Sequence, residues 1–198
     1  MQSIKISDVR NFMNHLLAKE TFDPFFLVRA SIHTAVTYDL DGRINTDFFK
    51  EDDPAPETPF CHWSYIKPAA FQAIRGKRLP LSLKIILALP EKSVSYFLQK
   101  SGTSFKREEI EGMYLNILYD QKDLTLTTGV SYKTFQLDKS LEHYFDQSIF
   151  HFITTKIFQR FYRIILTQDQ GIFHIPGPSS CLACKRSYCS CKISFSVK

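Results

Sequence analysis

Cys181, Cys184, Cys189 and Cys191 fall within eleven residues, in the spacing Cys-x2-Cys-x4-Cys-x-Cys. Four thiolates make a complete tetrahedral ligand set for zinc, a metal that soft sulfur donors hold well. Lys185 and Arg186, inside the cluster, would offset the charge of the thiolates. The first pair has zinc-knuckle spacing. The Cys-x-Cys end is less usual, however, and one short loop would have to supply every ligand. The competing reading is a reducible tail appended to a domain that does not need it.

Arg75, Lys77, Arg78 and Lys84 form the densest basic group. Such a group neutralises the phosphates of a nucleic acid or another polyanion, and Gly76 within it would let the backbone approach closely. The plainer reading is that cations at the end of a helix complement its dipole. Catalytic signals are sparse. Cys61 and His62 are adjacent in the chain, whereas a nucleophile and its base must meet in space. An enzyme would need a pocket that brings them to His33 and to carboxylates. His143 and His151 lie eight apart on the last helix and read as surface or packing residues. Glu51-Asp52-Asp53 and Glu108-Glu109 read as solvated loops. No Gly-x-Gly-x-x-Gly, P-loop, Gly-x-Ser-x-Gly or His-Glu-x-x-His occurs.

The elements that must position these groups are legible in places. The chain has 198 residues, 44% hydrophobic and 23% charged, which is enough for one domain with a core and excludes a mostly disordered chain. A short strand is expected at Ile4 to Ile6. Ser7 or Asp8 then caps a helix whose apolar positions Val9, Phe12, Met13, Leu16 and Leu17 follow helical spacing. From Val28 to Leu40 apolar and polar residues alternate, putting Arg29, Ser31, His33, Thr37 and Asp39 on the polar face of one long strand with a bulge in it. Asp41-Gly42 reads as the tight turn that follows, with positive φ. Residues 51–60, with three prolines and four carboxylates, read as an exposed loop between two halves. Trp63 anchors a helix to about Arg75, closed by Gly76.

The second half repeats this order. Leu81 to Leu89 is a strand, with Ile86 and Ala88 suggesting that it is central and covered on both faces. Pro90 opens a helix that Gly102 ends. Met113 to Tyr119 and Leu124 to Thr128 are a hairpin, and Ser131 to Leu137 a third strand. Asp138 or Ser140 caps the last helix, Phe-rich and apolar on nearly every side from Phe145 to Leu166. That pattern fits burial, or a homo-oligomer contact through residues 141–166, better than a basic membrane-surface helix.

Charge is segregated. Residues 67–107 carry nine basic groups against Glu91 alone, between two acidic stretches. The first 149 residues carry 18 basic and 19 acidic groups, so the overall +5 belongs to the last 49. The chain shows no secretory h-region and no apolar run approaching a membrane span, and reads as soluble and cytoplasmic, where a disulfide framework is a poor account of the cysteines.

A set of short strings resembles an uncharacterised family, a domain of unknown function of clostridial-type Gram-positive bacteria. They are Phe12-Met13 with Leu16-Leu17, Thr21-Phe22-Asp23, Asp41-Gly42, Trp63, Gly76-Lys77-Arg78, Pro80-Leu81-Ser82, Thr128-Gly129 and, most specific, Leu137-Asp138-Lys139-Ser140-Leu141-Glu142. The resemblance covers residues 3–150 and implies no catalytic residue. It also implies a chain that ends near the close of the helix after Glu142, so the run through Pro176 into the cysteines departs from it.

The expected fold is therefore a single α+β domain over residues 1–166, a mostly antiparallel sheet from two strand–helix–hairpin units with helices packed on it, followed by a 167–198 extension. The repeated unit is similar in order to the half-domains of DNA sliding clamps. The expected function is a non-catalytic binding or adaptor protein. Its patch of Arg75, Lys77, Arg78 and Lys84 would contact nucleic acid, an acidic protein or another polyanion. The alternatives are an enzyme with a pocket near His33, Cys61 and His62, and a zinc-binding interaction protein using Cys181, Cys184, Cys189 and Cys191.

Overall fold

The computed structural model describes residues 3–50, 54–158, 165–166 and 172–175. The chain runs β1 (Ser3–Ile6), α1 (Val9–Leu17), β2 (Phe26–His33), β3 (Thr37–Asp41), α2 (Trp63–Ile74), β4 (Ser82–Ala88), α3 (Glu91–Ser101), β5 (Ile110–Tyr119), β6 (Leu124–Tyr132), α4 (Ser140–Phe152), β7 (Ile165–Leu166) and β8 (Ile172–Ile175). Six strands form an antiparallel sheet in the order β3-β2-β4-β5-β6-β1. Beyond β1, β8 pairs in parallel and β7 closes the edge.

One row shows how the core face is made. Leu40, Ala30, Ile85, Ile117, Leu126 and Ile4 are opposite one another on six successive strands. All but half-buried Leu40 are fully covered. Helix side chains Phe12, Leu16, Trp63, Val94, Leu141, Phe145 and Ile149 complete the same core. Trp63 is the anchor its composition suggests: fully buried, with its indole N–H donating to the Leu16 carbonyl at 2.8 Å. Asp8 caps α1, its Oδ1 accepting from the Asn11 N–H at 3.0 Å.

Several expectations are corrected. The alternation from Val28 to Leu40 is two strands, turned at Thr34–Val36, where the Thr34 N–H donates to the Val36 carbonyl at 2.9 Å. His33 pairs with Thr37, so partners have the same parity and the alternation passes through the turn unbroken. The expected bulge is present, at the register shift between Leu27 and Arg29. Gly42 has no positive φ; the position is Gly because a Cβ there would lie 1.8 Å from the Leu27 carbonyl oxygen. Likewise α2 ends on Arg75 in extended conformation rather than on Gly76, whereas Gly102 does end α3 in the left-handed region at φ 65°.

The third strand over Ser131–Leu137 is absent. β6 simply continues to Tyr132, since Gly129 lies in regular strand. Strand β4 is central, and its second face grades from exposed at Lys84 through half-buried at Ile86 to buried at Ala88, so it is covered on both faces only at its C-terminal end. The last helix does not reach Leu166. It loosens into a π-turn over Ile153–Ile157, and Ile165–Leu166 are strand. The Thr154 and Thr155 hydroxyls donate back to the Phe150 and His151 carbonyls at 2.9 and 2.7 Å, competition that loosens a helix. Its all-round apolarity has an internal cause. Phe145 meets Phe97 of α3, Phe152 meets Phe22 and Phe25, and Ile153 and Ile157 are buried. Over residues 141–158, none of the large apolar side chains is exposed to form an oligomer seam.

The strand–helix–hairpin order occurs twice, but the two units pair differently. β4 lies beside β5 of its own unit, whereas β1 lies beside β6 and not β2. Residues 172–175, assigned from sequence to the extension, form β8 beside β1.

Candidate anion-binding surface

The helices pack on one side of the sheet; among the described residues, the other side is buried at Phe26 and Ala88 and open over the rows nearer the β2–β3 turn. Its residues follow from register. Asp39, Ser31, Lys84, Leu118, Thr125 and Lys5 form one cross-strand row, and Asp41, Arg29, Ile86, Asn116, Thr127 and Ser3 the next. Each is exposed or half-buried. Lys84 is directly opposite Ser31, which makes Arg29 and His33 its diagonal neighbours, about 7–8 Å away. Arg29, Ser31, Asp39, Lys84 and Ile86 line a shallow depression of 260 Å³. Two cations and a hydroxyl there suit a small anion or one phosphate of a larger one, although the Asp39 carboxylate lines the same depression. Lys5, farther along the row, is paired to Asp123 at 2.8 Å.

Of the basic residues singled out from sequence, Lys84 lies on this open part of the face, and the other three lie in the loop that leads into β4. Arg75 is the C-cap of α2, so its charge also complements the helix dipole. Lys77 and Arg78 are exposed, and none of the four makes an ion pair with a described residue. The loop meets the end of β2 where the Leu81 N–H donates to the His33 carbonyl at 2.7 Å. Gly76 permits no special approach, since a Cβ added there would come no nearer than 4.0 Å to another atom, the Arg78 nitrogen. Arg29 went unrecognised as a site residue. Strand alternation had already put it on the polar face; the missing knowledge was that β2 pairs with β4.

The catalytic alternative does not assemble. His33 stands at the C-terminal end of β2, its Nε2 3.2 Å from Ser31 Oγ and its Nδ1 3.2 Å from Thr37 Oγ1. Cys61 and His62 lie against the opposite end, where Leu27 donates to the Cys61 carbonyl at 2.9 Å and the His62 ring sits 4.7 Å from that of Phe26. Strand β2 separates the two places by about 20 Å at ~3.3 Å per residue. Burial, more than the Asp41 carboxylate, pushes the Cys61 thiol above its ordinary range, the wrong direction for a nucleophile. Cys181, Cys184, Cys189 and Cys191 lie outside the described residues. Among the described residues, no three His, Cys, Asp or Glu side chains gather as metal ligands, and no helix is long and apolar enough to cross a membrane.

Fold and surface together define an α+β protein of two layers with a partly uncovered, mixed-charge sheet face. Residues 15–159 match a family of unknown function, DUF5721, and the chain belongs to that family. The match begins within α1 and ends just past the π-turn, so it takes in all of α4, and the cysteine cluster falls beyond it. No curated protein and no solved structure matches the chain.

Proposed function

We propose that this protein is a non-catalytic binding module that takes a phosphate-bearing polyanion on Arg75, Lys77, Arg78 and Lys84, with Arg29 as a fifth cation. The observation that carries this reading is the placement of Arg29 diagonal to Lys84 on an open part of the sheet face, next to a loop of three exposed cations that pair with no described residue. A wide, shallow surface with exposed cations suits a backbone of repeated phosphates, whereas small-molecule chemistry needs an enclosed pocket with converging polar groups. The parent protein is expected to be retained on heparin and to shift a single-stranded oligonucleotide at low salt. The double variant Lys77→Glu, Arg78→Glu should lose the shift, and charge-neutral replacements should flatten the salt dependence by about 0.7 in log–log slope per phosphate contact removed. A parent protein that neither binds heparin nor shifts the oligonucleotide at low salt would overturn the proposal.

A further inference from the structure

We infer that the polyanion is the surface of an anionic lipid bilayer, on which the protein docks by a crest of exposed apolar side chains set among the loop cations. This rests on the polyanion reading of the basic block and names its partner. The crest comes from two segments at one end of the sheet. Leu79 and Leu81, in the loop after Arg78, are 78% and 57% exposed, and Val36, in the turn between β2 and β3, is 55% exposed. The turn and the loop adjoin: the Leu81 N–H donates to the His33 carbonyl, and the next residue, Thr34, donates to the Val36 carbonyl. Phe71 is also exposed, one helical turn before Arg75 on α2.

Isolated exposed leucines are ordinary on a protein surface; several on one edge, interleaved with Arg75, Lys77 and Arg78, are not. From Arg75 to Leu81 every residue of the loop is exposed except Pro80. Single-stranded nucleic acid accounts for the cations but would stack its bases on aromatic rings, and the most exposed crest residues are aliphatic. A bilayer accounts for both. Its anionic headgroups attract Lys and Arg, and its acyl boundary accepts Leu and Val. The patch is bounded on the far side by the β5–β6 turn, where Asp120 is exposed and Asp123 is paired to Lys5.

The test is cosedimentation of the full chain with vesicles of phosphatidylserine and phosphatidylcholine, and with phosphatidylcholine alone. Heparin retention and the oligonucleotide shift are measured beside it. Binding is expected only to the vesicles that contain phosphatidylserine. Leu79→Ser with Leu81→Ser should weaken it at least about ten-fold and leave heparin retention unchanged. Lys77→Glu with Arg78→Glu should weaken both, the vesicle partitioning by about 30-fold or more. All these positions are exposed, and an unchanged thermal transition confirms that each variant folds. Vesicle binding indifferent to the leucine changes, or an oligonucleotide shift without vesicle binding, would overturn the bilayer and leave the polyanion reading standing. Failure to bind vesicles, heparin and oligonucleotide alike would overturn both.

Discussion

His15 shows how one side chain can make stability depend on pH. It sits in the last turn of α1, buried, with Nδ1 2.7 Å from Thr21 Oγ1 and Nε2 2.8 Å from Lys19 Nζ. An ammonium has no acceptor, so Nε2 must accept from Lys19, and Nδ1 then carries the proton and donates to Thr21. Protonating Nε2 would break that bond and set two cations against each other. Burial first, and Lys19 second, accordingly hold the imidazole below its usual 6.5. The unfolded chain therefore takes up the proton at a higher pH than the folded one. The contribution of His15 is complete above 6.5 and is lost progressively as pH falls below that value, levelling off beneath the folded-state pKa. Urea denaturation on either side of 6.5 should show this slope, and His15→Gln should reduce it; an unchanged slope in the variant would assign the effect elsewhere.

At the scale of elements, fit is decided by close approach. The segment after β3 crosses β2 at its bulge, where the Gly42 N–H donates to the Val28 carbonyl at 3.1 Å and the Gly42 carbonyl accepts from Cys61 at 2.8 Å. There is no room between Gly42 and the Leu27 backbone for a methyl group. Gly42→Ala must push two backbones apart and break bonds that lead into α2, so a loss of at least about 1–3 kcal/mol is expected, read as a lower urea midpoint at constant m-value. An Ala variant of parental stability would mean that this crossing is not rigid. The same packing logic explains α4 and the π-turn after it: the helix meets α3, β6 and the Phe22–Phe25 segment, and the π-turn meets α1.

For the whole molecule, the domain boundary matters most. Among the described residues, the buried core runs from Ile4 to Phe158, and the family match covers residues 15–159. We propose that the cooperative unit closes near residue 166, and that a chain ending at Gln168 folds on its own, losing β8 together with its pairings to β1 and β7. Calorimetry should give a single transition for that truncation; aggregation, or the absence of a transition, would place the later residues within the folding unit.

Much of this architecture is written locally. The Asp8 cap with Phe12 and Leu16 a turn apart, the alternation of Arg29, Ser31 and His33, and Gly102 behind α3 all act within a turn or two of chain, so each could be read from neighbours alone. The repeated strand–helix–hairpin order followed from the same signals, and the strings ending at Leu137 to Glu142 carried the family. What they could not convey was which strands lie side by side. Every strand here has a similar apolar face, and the pairing is settled by the joint packing of all of them. Hence the turn at Thr34–Val36 is hidden by its own parity, the second face of β4 is covered at Ala88 but open at Lys84, and Arg29 meets Lys84 only because β2 lies beside β4. The basic block was visible as composition. That it runs from an exposed crest with Leu79, Leu81 and Val36 onto an open sheet face is a property of the folded surface, where groups distant in the chain share one field and one exposed edge.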